Sequence, residues 1–584
     1  MTIVAPGPDG ADGAPHGRAR GALGGRFLPM TSTARMRPAR PADCRLSDLV
    51  DVFSLVSVGV DPASTVVQGV SVASDDVLPG ELFVAVPGAR THGAAHARAA
   101  VEAGAVAVVT DAAGRDVLGD LAGRVPVLLT DEPRAVAGLL AAHVLDHPAR
   151  RLRTVGVTGT NGKTTTTYFV DAALRAAHAT TAVLGTVELR IGADAIESPR
   201  TTVEAPVLQN VLALALERGA TAVAMEVSSH ALALHRVAGT VFDVVGFTNL
   251  QRDHLDFHGD MEGYFRDKAR LFAPGQARRG VVVVDDEWGR RLAAQAQIPV
   301  ESVATHVDDP AAADADWAVV TADVGLDGVG SSFTLRGPDG REHVASSPLP
   351  GLVNVSNAAL AIVLAHAAGV ALDVAIAAVG TAHAIPGRME RVIERAPGRP
   401  LGIVDYAHTP DALVLALGAV RPITPGRLVI VLGSDGDRDR GKRPIMGQIA
   451  ARLADVVVVT DENPRSEEPS SIRAAILDGV REVRPGLTDV HEVEPRAQAV
   501  RHGVALAGEG DTVIVTGKGH EPTQEIAGVF HRYNDRDVLL AAQAEGLADA
   551  APADAAPDRL PGRLPDPTPD GAGRASRPGD GGDE

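Results

Sequence analysis

An apolar strand ending at Thr158 runs directly into Gly159-Thr160-Asn161-Gly162-Lys163-Thr164-Thr165, and the stretch from Thr164 to Ala177 then reads as a helix. Few folds accept that succession. Glycines let backbone N–H groups close on phosphate oxygens, the helix start adds positive potential, Lys163 neutralises the outer phosphates and Thr164 offers a hydroxyl to Mg²⁺. The pattern predicts a nucleoside triphosphate site at the carboxyl end of a strand. The spacing departs from the usual G-x4-GK[ST], because position 157 is Val, so an ordinary GTPase or motor matches poorly.

Carboxylates and imidazoles follow in two more strand-end motifs. AVAMEVSSHALALHRV puts Glu226 at the end of an apolar strand, where it faces the crevice in which open sheets bind ligands. GFTNLQRDHLDFHGD then supplies Asn249, Asp253, His254, Asp256 and His258. His254 and His258 stand four apart and raise the idea of zinc. The oxygen-rich surroundings and the phosphate loop favour magnesium instead, and no HExxH helix is present.

The chain has 584 residues, 45% hydrophobic and 22% charged, which supports several buried cores. Lys and Arg number 55 against 74 Asp and Glu, and this acidic balance disfavours nucleic acid and anionic lipid as partners. Cys44 is the only cysteine, which excludes an intrachain disulfide or a cysteine-rich zinc site. No signal peptide or membrane span is expected, since the most apolar stretch, Ala358 to Gly380, is mostly Ala and interrupted by His366, Gly369 and Asp373. A cytoplasmic monomer is the expectation.

Alternation of Val/Leu strands with Ala-rich helices predicts three α/β domains, over 45–150, 151–384 and 385–546, the central one with a mostly parallel sheet. Residues 1–44 and the acidic, Pro/Gly-rich 547–584 read as disordered.

In order along the chain stand TGTNGKTT, EVSSHAL, TNLQRDHLDFHG, YFRDKARLF, NVSNAALA, IPGRME, VDYAHTPDAL, GDRDRGKRP, DENPRSEEP and GKGHE. This ordered set resembles the Mur ligase family, ATP-dependent amide ligases of peptidoglycan precursor synthesis, and most closely its MurE type. The resemblance implies an N-terminal domain holding the UDP sugar, a central P-loop ATPase-like domain and a C-terminal Rossmann-like domain bringing the amino acid. ATP would phosphorylate the terminal carboxylate of UDP-MurNAc-L-Ala-D-Glu. An amine then attacks the acyl phosphate, and a tetrahedral intermediate collapses to amide and phosphate.

By the same matching, Gly159 through Thr165, Asn357, Arg388, Asp405 and His408 would hold ATP, and Lys163, Glu226, His254 and Lys268 would carry the chemistry. Thr164, Glu226, His254 and Lys268 would hold Mg²⁺, two ions in all, with Lys268 carbamylated by CO₂ so that a cation becomes an anion. Ser74, Thr201, Thr202, Ser228 and Arg236 would hold the UDP sugar-peptide. Arg438, Asn463, Arg465, Gly517 and Glu521 would hold meso-diaminopimelate. Arg465 would grip its distal carboxylate, so that lysine, leaving Arg465 without a partner, would be rejected by roughly 10⁴-fold.

Three stretches depart from the family pattern. Asp-Ser-Arg reads Ala73-Ser74-Asp75, Thr-Thr-Pro reads Thr201-Thr202-Val203, and the Gly-Gly before Asp-Arg-Asp reads Asp435-Gly436. The competing readings are an L-lysine-adding MurE-type ligase, a folylpolyglutamate-synthase-like ligase, and a catalytically dead ATP-binding scaffold. The domain over 45–150 and the DENPR stretch disfavour the second, and intact Lys163, Glu226, His254 and Lys268 disfavour the third.

Overall fold

The computed structural model describes residues 36–39, 43–88, 91–308, 310–324 and 330–550. Three main sheets follow one another along the chain. In a five-stranded sheet of strands between Val56 and Leu129 the inner strands are buried on both faces, in keeping with runs such as Glu81–Val84 and Ala107–Thr110 that lack alternation, while the edge strand Val56–Gly59 is mostly exposed. An eleven-stranded sheet spans Arg153–Thr158 to Glu342–Ser347, and a six-stranded sheet spans Glu390–Ile393 to Thr512–Thr516.

In the large sheet, Arg153–Thr158 lies between Ala222–Glu226 and Phe242–Phe247, parallel to both. The chain leaves Arg153–Thr158, passes over the place later filled by Ala222–Glu226, and returns to form Phe242–Phe247 on the other side. That reversal opens a crevice at the carboxyl ends of these strands. Parallel pairing continues out to Trp317–Val324. Antiparallel hairpins close both edges, Glu188–Ile191 with Asp194–Glu197 and Ser331–Arg336 with Glu342–Ser347. These edge strands are half polar, so they stand out less in the sequence than the Val-rich central ones.

The apolar stretch around Ala358 forms two helices, Leu352–Ala367 and Leu372–Gly380, packed on the phosphate-loop helix Lys163–Ala177. Among the described residues no helix is long and apolar enough to cross a membrane. One continuous core joins the large sheet to the C-terminal sheet, and a Cβ on Gly351 would lie 2.4 Å from that of Ala419. The six-stranded sheet is parallel except for Glu390–Ile393, so Asp405, Gly433, Asp461 and Gly517 all emerge at one end.

The termini differ from expectation where they are described. Met36 is buried, Arg37 forms buried ion pairs, and Cys44–Arg45 pairs with Val66–Val67, so this part of the supposed disordered extension is docked. Its composition carries no periodicity because its partners are scattered, in the following loop and strand and, for Met36 and Ala39, in the central domain. At the other end the helix Asp535–Ala550 runs past residue 546. The rest of both expected tails lies outside the described residues.

Candidate active site

Backbone geometry builds the phosphate loop. Gly159 has φ 145° and a Cβ there would meet the Thr248 hydroxyl at 1.9 Å, while Gly162 has φ 86° and a Cβ there would meet Asn357 Oδ1 at 2.2 Å. Both positions therefore demand glycine. The strand end Thr248–Gln251 straps the loop. Thr160 N–H donates to the Asn249 carbonyl at 2.9 Å, Asn161 N–H to Asn249 Oδ1 at 3.0 Å, and Asn161 Nδ2 to Gln251 Oε1 at 2.6 Å. Lys163 folds back, donating from Nζ to the carbonyls of Gly159 and Thr160 at 3.0 and 2.8 Å. Burial pushes its pKa down, opposed by Glu226 and Asp253. Val157, where another loop type would have Gly, is a fully buried strand residue.

Glu226 is buried as the last residue of its strand and accepts from the Thr164 hydroxyl at 3.0 Å and from the Thr186 amide and hydroxyl at 2.8 and 3.0 Å. Directly behind it, Thr202 donates its hydroxyl to the Glu226 carbonyl at 2.9 Å and accepts from Ser228 N–H at 3.0 Å. Arg236 lies against the Thr202 carbonyl and pairs with Glu204 at 3.1 Å, and Thr201 accepts from Thr186. The expected sugar-peptide residues of the central domain thus converge beside the carboxylate. Val203, in place of the family's proline, is buried.

Arg388 crosses from the C-terminal domain. Its guanidinium stacks 4.2 Å from the Tyr406 ring centroid and donates from Nη2 to Thr164 Oγ1 at 3.2 Å. Asp405 positions this arginine, accepting from Met389 N–H at 2.8 Å and Ala407 N–H at 2.9 Å. Burial pushes the Asp405 pKa up, opposed by these N–H groups and by Arg388. His408 is held through Nδ1 by the Tyr406 carbonyl at 2.9 Å. Asn357 is buried and meets the loop helix through the Thr166 hydroxyl at 3.3 Å.

Lys268 is 1% exposed, donates from Nζ to the Gly159 carbonyl at 2.8 Å, and lies 4.5 Å over the Tyr264 ring. Burial first, and Lys163 second, hold its pKa well below the ordinary lysine value. His254 is half exposed and electrostatically coupled to Lys163 and Lys268. His258 is not its metal partner. Its Nδ1 faces Asp267 at 2.8 Å and its Nε2 faces Ser229 at 2.9 Å, so both nitrogens are used. His230, unnoticed in the motif EVSSHAL, stacks between the two imidazoles, and burial and these neighbours hold its pKa at about 4.

Among the described residues no three His, Cys, Asp or Glu side chains converge as a metal cage. The Thr164 hydroxyl and the Glu226 carboxylate, both buried and 3.0 Å apart, are hard oxygen donors of the kind that would fit Mg²⁺ were phosphates and water to complete its shell.

In the C-terminal domain Asn463, Glu521 and Gly517 come together. Lys518, fully buried, donates to Asn463 Oδ1 and Glu521 Oε2, both at 2.8 Å, and Asn463 Nδ2 donates to Glu521 at 3.1 Å. Gly517, at φ 109°, gives room to the buried Glu462, whose Oε2 would lie 2.4 Å from a Cβ there. Burial, with Asp435 next, pushes the Glu462 pKa up to about 8. Arg438 is exposed and stands apart from this group. Arg465 does have a partner. It pairs with Asp435 at 3.2 Å, whereas the nearby Glu467 is taken by Arg443 and Arg440.

Ser74 is half-buried on the loop Ser71–Asp76, whose other residues, with residues between Pro199 and Asn210, line a cavity of about 270 Å³ between the first two domains; Ser74 itself is not in its wall. Arg37 lines it too, pairing with Asp76 at 3.4 Å and Glu81 at 3.1 Å. No motif announced this arginine. It places a cation next to the stretch in which Asp75 stands for the expected one.

Sequence comparison gives three matches in order: Mur ligase family, catalytic domain, over residues 66–144; Mur ligase middle domain over 157–365; and Mur ligase, glutamate ligase domain, over 387–519. A Streptomyces coelicolor protein named UDP-N-acetylmuramoyl-L-alanyl-D-glutamate--2,6-diaminopimelate ligase is 46% identical over 505 residues, 86% of this chain and 97% of that one. A Leifsonia xyli protein named UDP-N-acetylmuramyl-tripeptide synthetase is 46% identical over 506 residues, 86% of this chain and 96% of its own length. A solved structure of a UDP-N-acetylmuramoyl-L-alanyl-D-glutamate--2,6-diaminopimelate ligase is 31% identical, covering 84% of this chain and 98% of that one, with a TM-score of 0.60. Mycobacterium tuberculosis folylpolyglutamate synthase shares the fold at 21% identity, 70% and 93% coverage and a TM-score of 0.53.

Proposed function

We propose, for a chain that belongs to the Mur ligase family, that it is the ATP-dependent ligase joining meso-diaminopimelate to UDP-MurNAc-L-Ala-D-Glu. The observation that carries this reading is the convergence of a phosphate loop, Glu226 and an arginine from the next domain on one hydroxyl, Thr164. Lys163, once released from its own loop carbonyls, and Arg388 supply fixed positive charge where a phosphoryl group moves. A magnesium ion held by Thr164 and Glu226, with His254 and carbamylated Lys268 serving a second, would add charge neutralisation on the phosphate oxygens. Thr201, Thr202, Ser228 and Arg236 hold the peptide end of the UDP substrate beside Glu226, so its terminal carboxylate lies next to the transferred phosphate. The amino acid enters from the C-terminal domain, past Asn463, Arg465 and Glu521.

Phosphate release from ATP with UDP-MurNAc-L-Ala-D-Glu tests this directly: release is expected to require the amino acid, and release indifferent to meso-diaminopimelate would refute it. Arg388→Ala is expected to lower kcat by roughly 10²-fold, by loss of one charged contact on the transferring group. Unchanged kcat would remove Arg388 from the chemistry. Arg37→Ala removes a cation from the wall of the cavity between the first two domains, and a hydrogen bond from it to a charged group of the UDP substrate would be worth about 1.5–3 kcal/mol. KM for the UDP substrate is therefore expected to rise by roughly tenfold or more while KM for ATP holds, and a matched rise in both would refute a role confined to the UDP pocket.

A further inference from the structure

The ion pair between Arg465 and Asp435 bears on which amino acids the site accepts. Two laced loops fix it. Gly436 N–H donates to the Asn463 carbonyl at 2.8 Å, Asp437 N–H to Glu467 at 2.7 Å, and Ser466 N–H to Asp437 at 3.1 Å. A Cβ on Gly436 would lie 1.9 Å from the Pro464 carbonyl, so the loops are in contact. Arg465 itself has φ 54° and is anchored through its N–H to the Glu525 carbonyl at 3.0 Å. Its side chain is 25% exposed and that of Asp435 is 16% exposed. Arg465 Nε and Asp435 Oδ1 are buried with no hydrogen-bond partner among the described residues. The pair therefore meets through one nitrogen and one oxygen, so the remaining guanidinium N–H groups of Arg465 and the second oxygen of Asp435 are not used by it.

Rejection of an amino acid without a distal carboxylate depends on leaving a buried cation unpartnered. Here the cation has a resident carboxylate. Lysine entering this site leaves Arg465 paired to Asp435, whose carboxylate also offsets the charge of the distal ammonium. Diaminopimelate, bringing both an ammonium and a carboxylate, still finds unused N–H donors on Arg465.

We infer that Asp435 widens acceptor choice, so that the ligase adds α-amino acids carrying only a distal ammonium, of the lysine and ornithine class, as well as diaminopimelate. This rests on the ligase reading above. The step is the same for each acceptor: the neutral α-amine attacks the acyl carbon and the C–N bond forms. The C–O bond to phosphate breaks, phosphate leaves with the electron pair, and the amine proton passes to solvent.

The test is kcat/KM for meso-diaminopimelate, L-lysine and L-ornithine, measured with the full chain and with Asp435→Gly and Asp435→Asn. The full chain is expected to prefer diaminopimelate over lysine by less than about 10²-fold. Both variants are expected to raise that preference at least about tenfold through loss of lysine turnover, because Arg465 is then left unpartnered. A preference of about 10⁴-fold in the full chain, or a ratio unmoved in both variants, overturns the inference while leaving the ligase reading intact. If no amino acid stimulates phosphate release, the ligase reading itself fails, and the inference with it.

Discussion

Replacing Lys163 by alanine is expected to lower the ligation rate by on the order of 10³-fold or more, with the fold intact. Transition-state arithmetic sets the scale: fixed positive charge on a transferring phosphoryl group contributes roughly 3–4 kcal/mol or more, and each 1.36 kcal/mol is tenfold in rate. The fold survives because Nζ bonds only to two carbonyls of its own loop. Without it the Gly159 carbonyl keeps the Lys268 Nζ donor at 2.8 Å, and the loop keeps its straps from Asn249 and Gln251. The comparison to make is kcat for phosphate release alongside the thermal midpoint. Near-normal ligation by the variant would strip Lys163 of its role, and a collapsed midpoint would show that the lysine shapes the loop.

How much of this site can be read from the chain alone follows from the range of the interactions. The phosphate loop is legible because its demands are local: positive φ at Gly159 and Gly162, and a helix that begins at Lys163. Glu226 is legible because a charged residue closing an apolar strand has few reasons to be there. Arg465 is legible as a residue but not in its pairing, since its partner lies thirty positions away. Asp435 is visible only as a departure from pattern, and which cation it meets depends on how two loops are laced. Arg37 sits in a Gly- and Pro-rich stretch without periodicity, and nothing local distinguishes it from the arginines around it. The histidines show the opposite error. Spacing alone raised a zinc pair of His254 and His258, which the oxygen-rich surroundings already disfavoured, and Asp267 and Ser229, brought in by tertiary packing, occupy both nitrogens of His258. Edge hairpins such as Glu188–Glu197 were missed because their strands are half polar, and the turn at Gly192 is the one local sign of them.

Lys268→Ala is expected to be nearly inactive, and restoring carboxylate by added acetate or formate is expected to recover part of the rate. A lysine at this position is an anomaly as a bare ammonium. It lies within reach of Gly159 in the phosphate loop, and Lys163 already supplies a positive charge there. Burial and that neighbour favour the uncharged amine, whose folded pKa lies below the ordinary lysine value. The sign matters for the chemistry. Above that lowered pKa the amine keeps its lone pair, which adds to CO₂; a proton is released and a carbamate anion forms. The amine thus becomes reactive at a lower pH than an exposed lysine does. Carbamylation would then turn a repelled cation into two oxygens of the kind that suits magnesium. Activity is expected to fall in CO₂-depleted buffer and to return with bicarbonate, and ¹³C-labelled bicarbonate is expected to give a carbamate carbon signal that Lys268→Ala lacks. An alanine variant that ligates at the normal rate without added carboxylate, or a labelled protein without that signal, would leave Lys268 as a packing residue that ties the helix Met261–Ala269 to the phosphate loop.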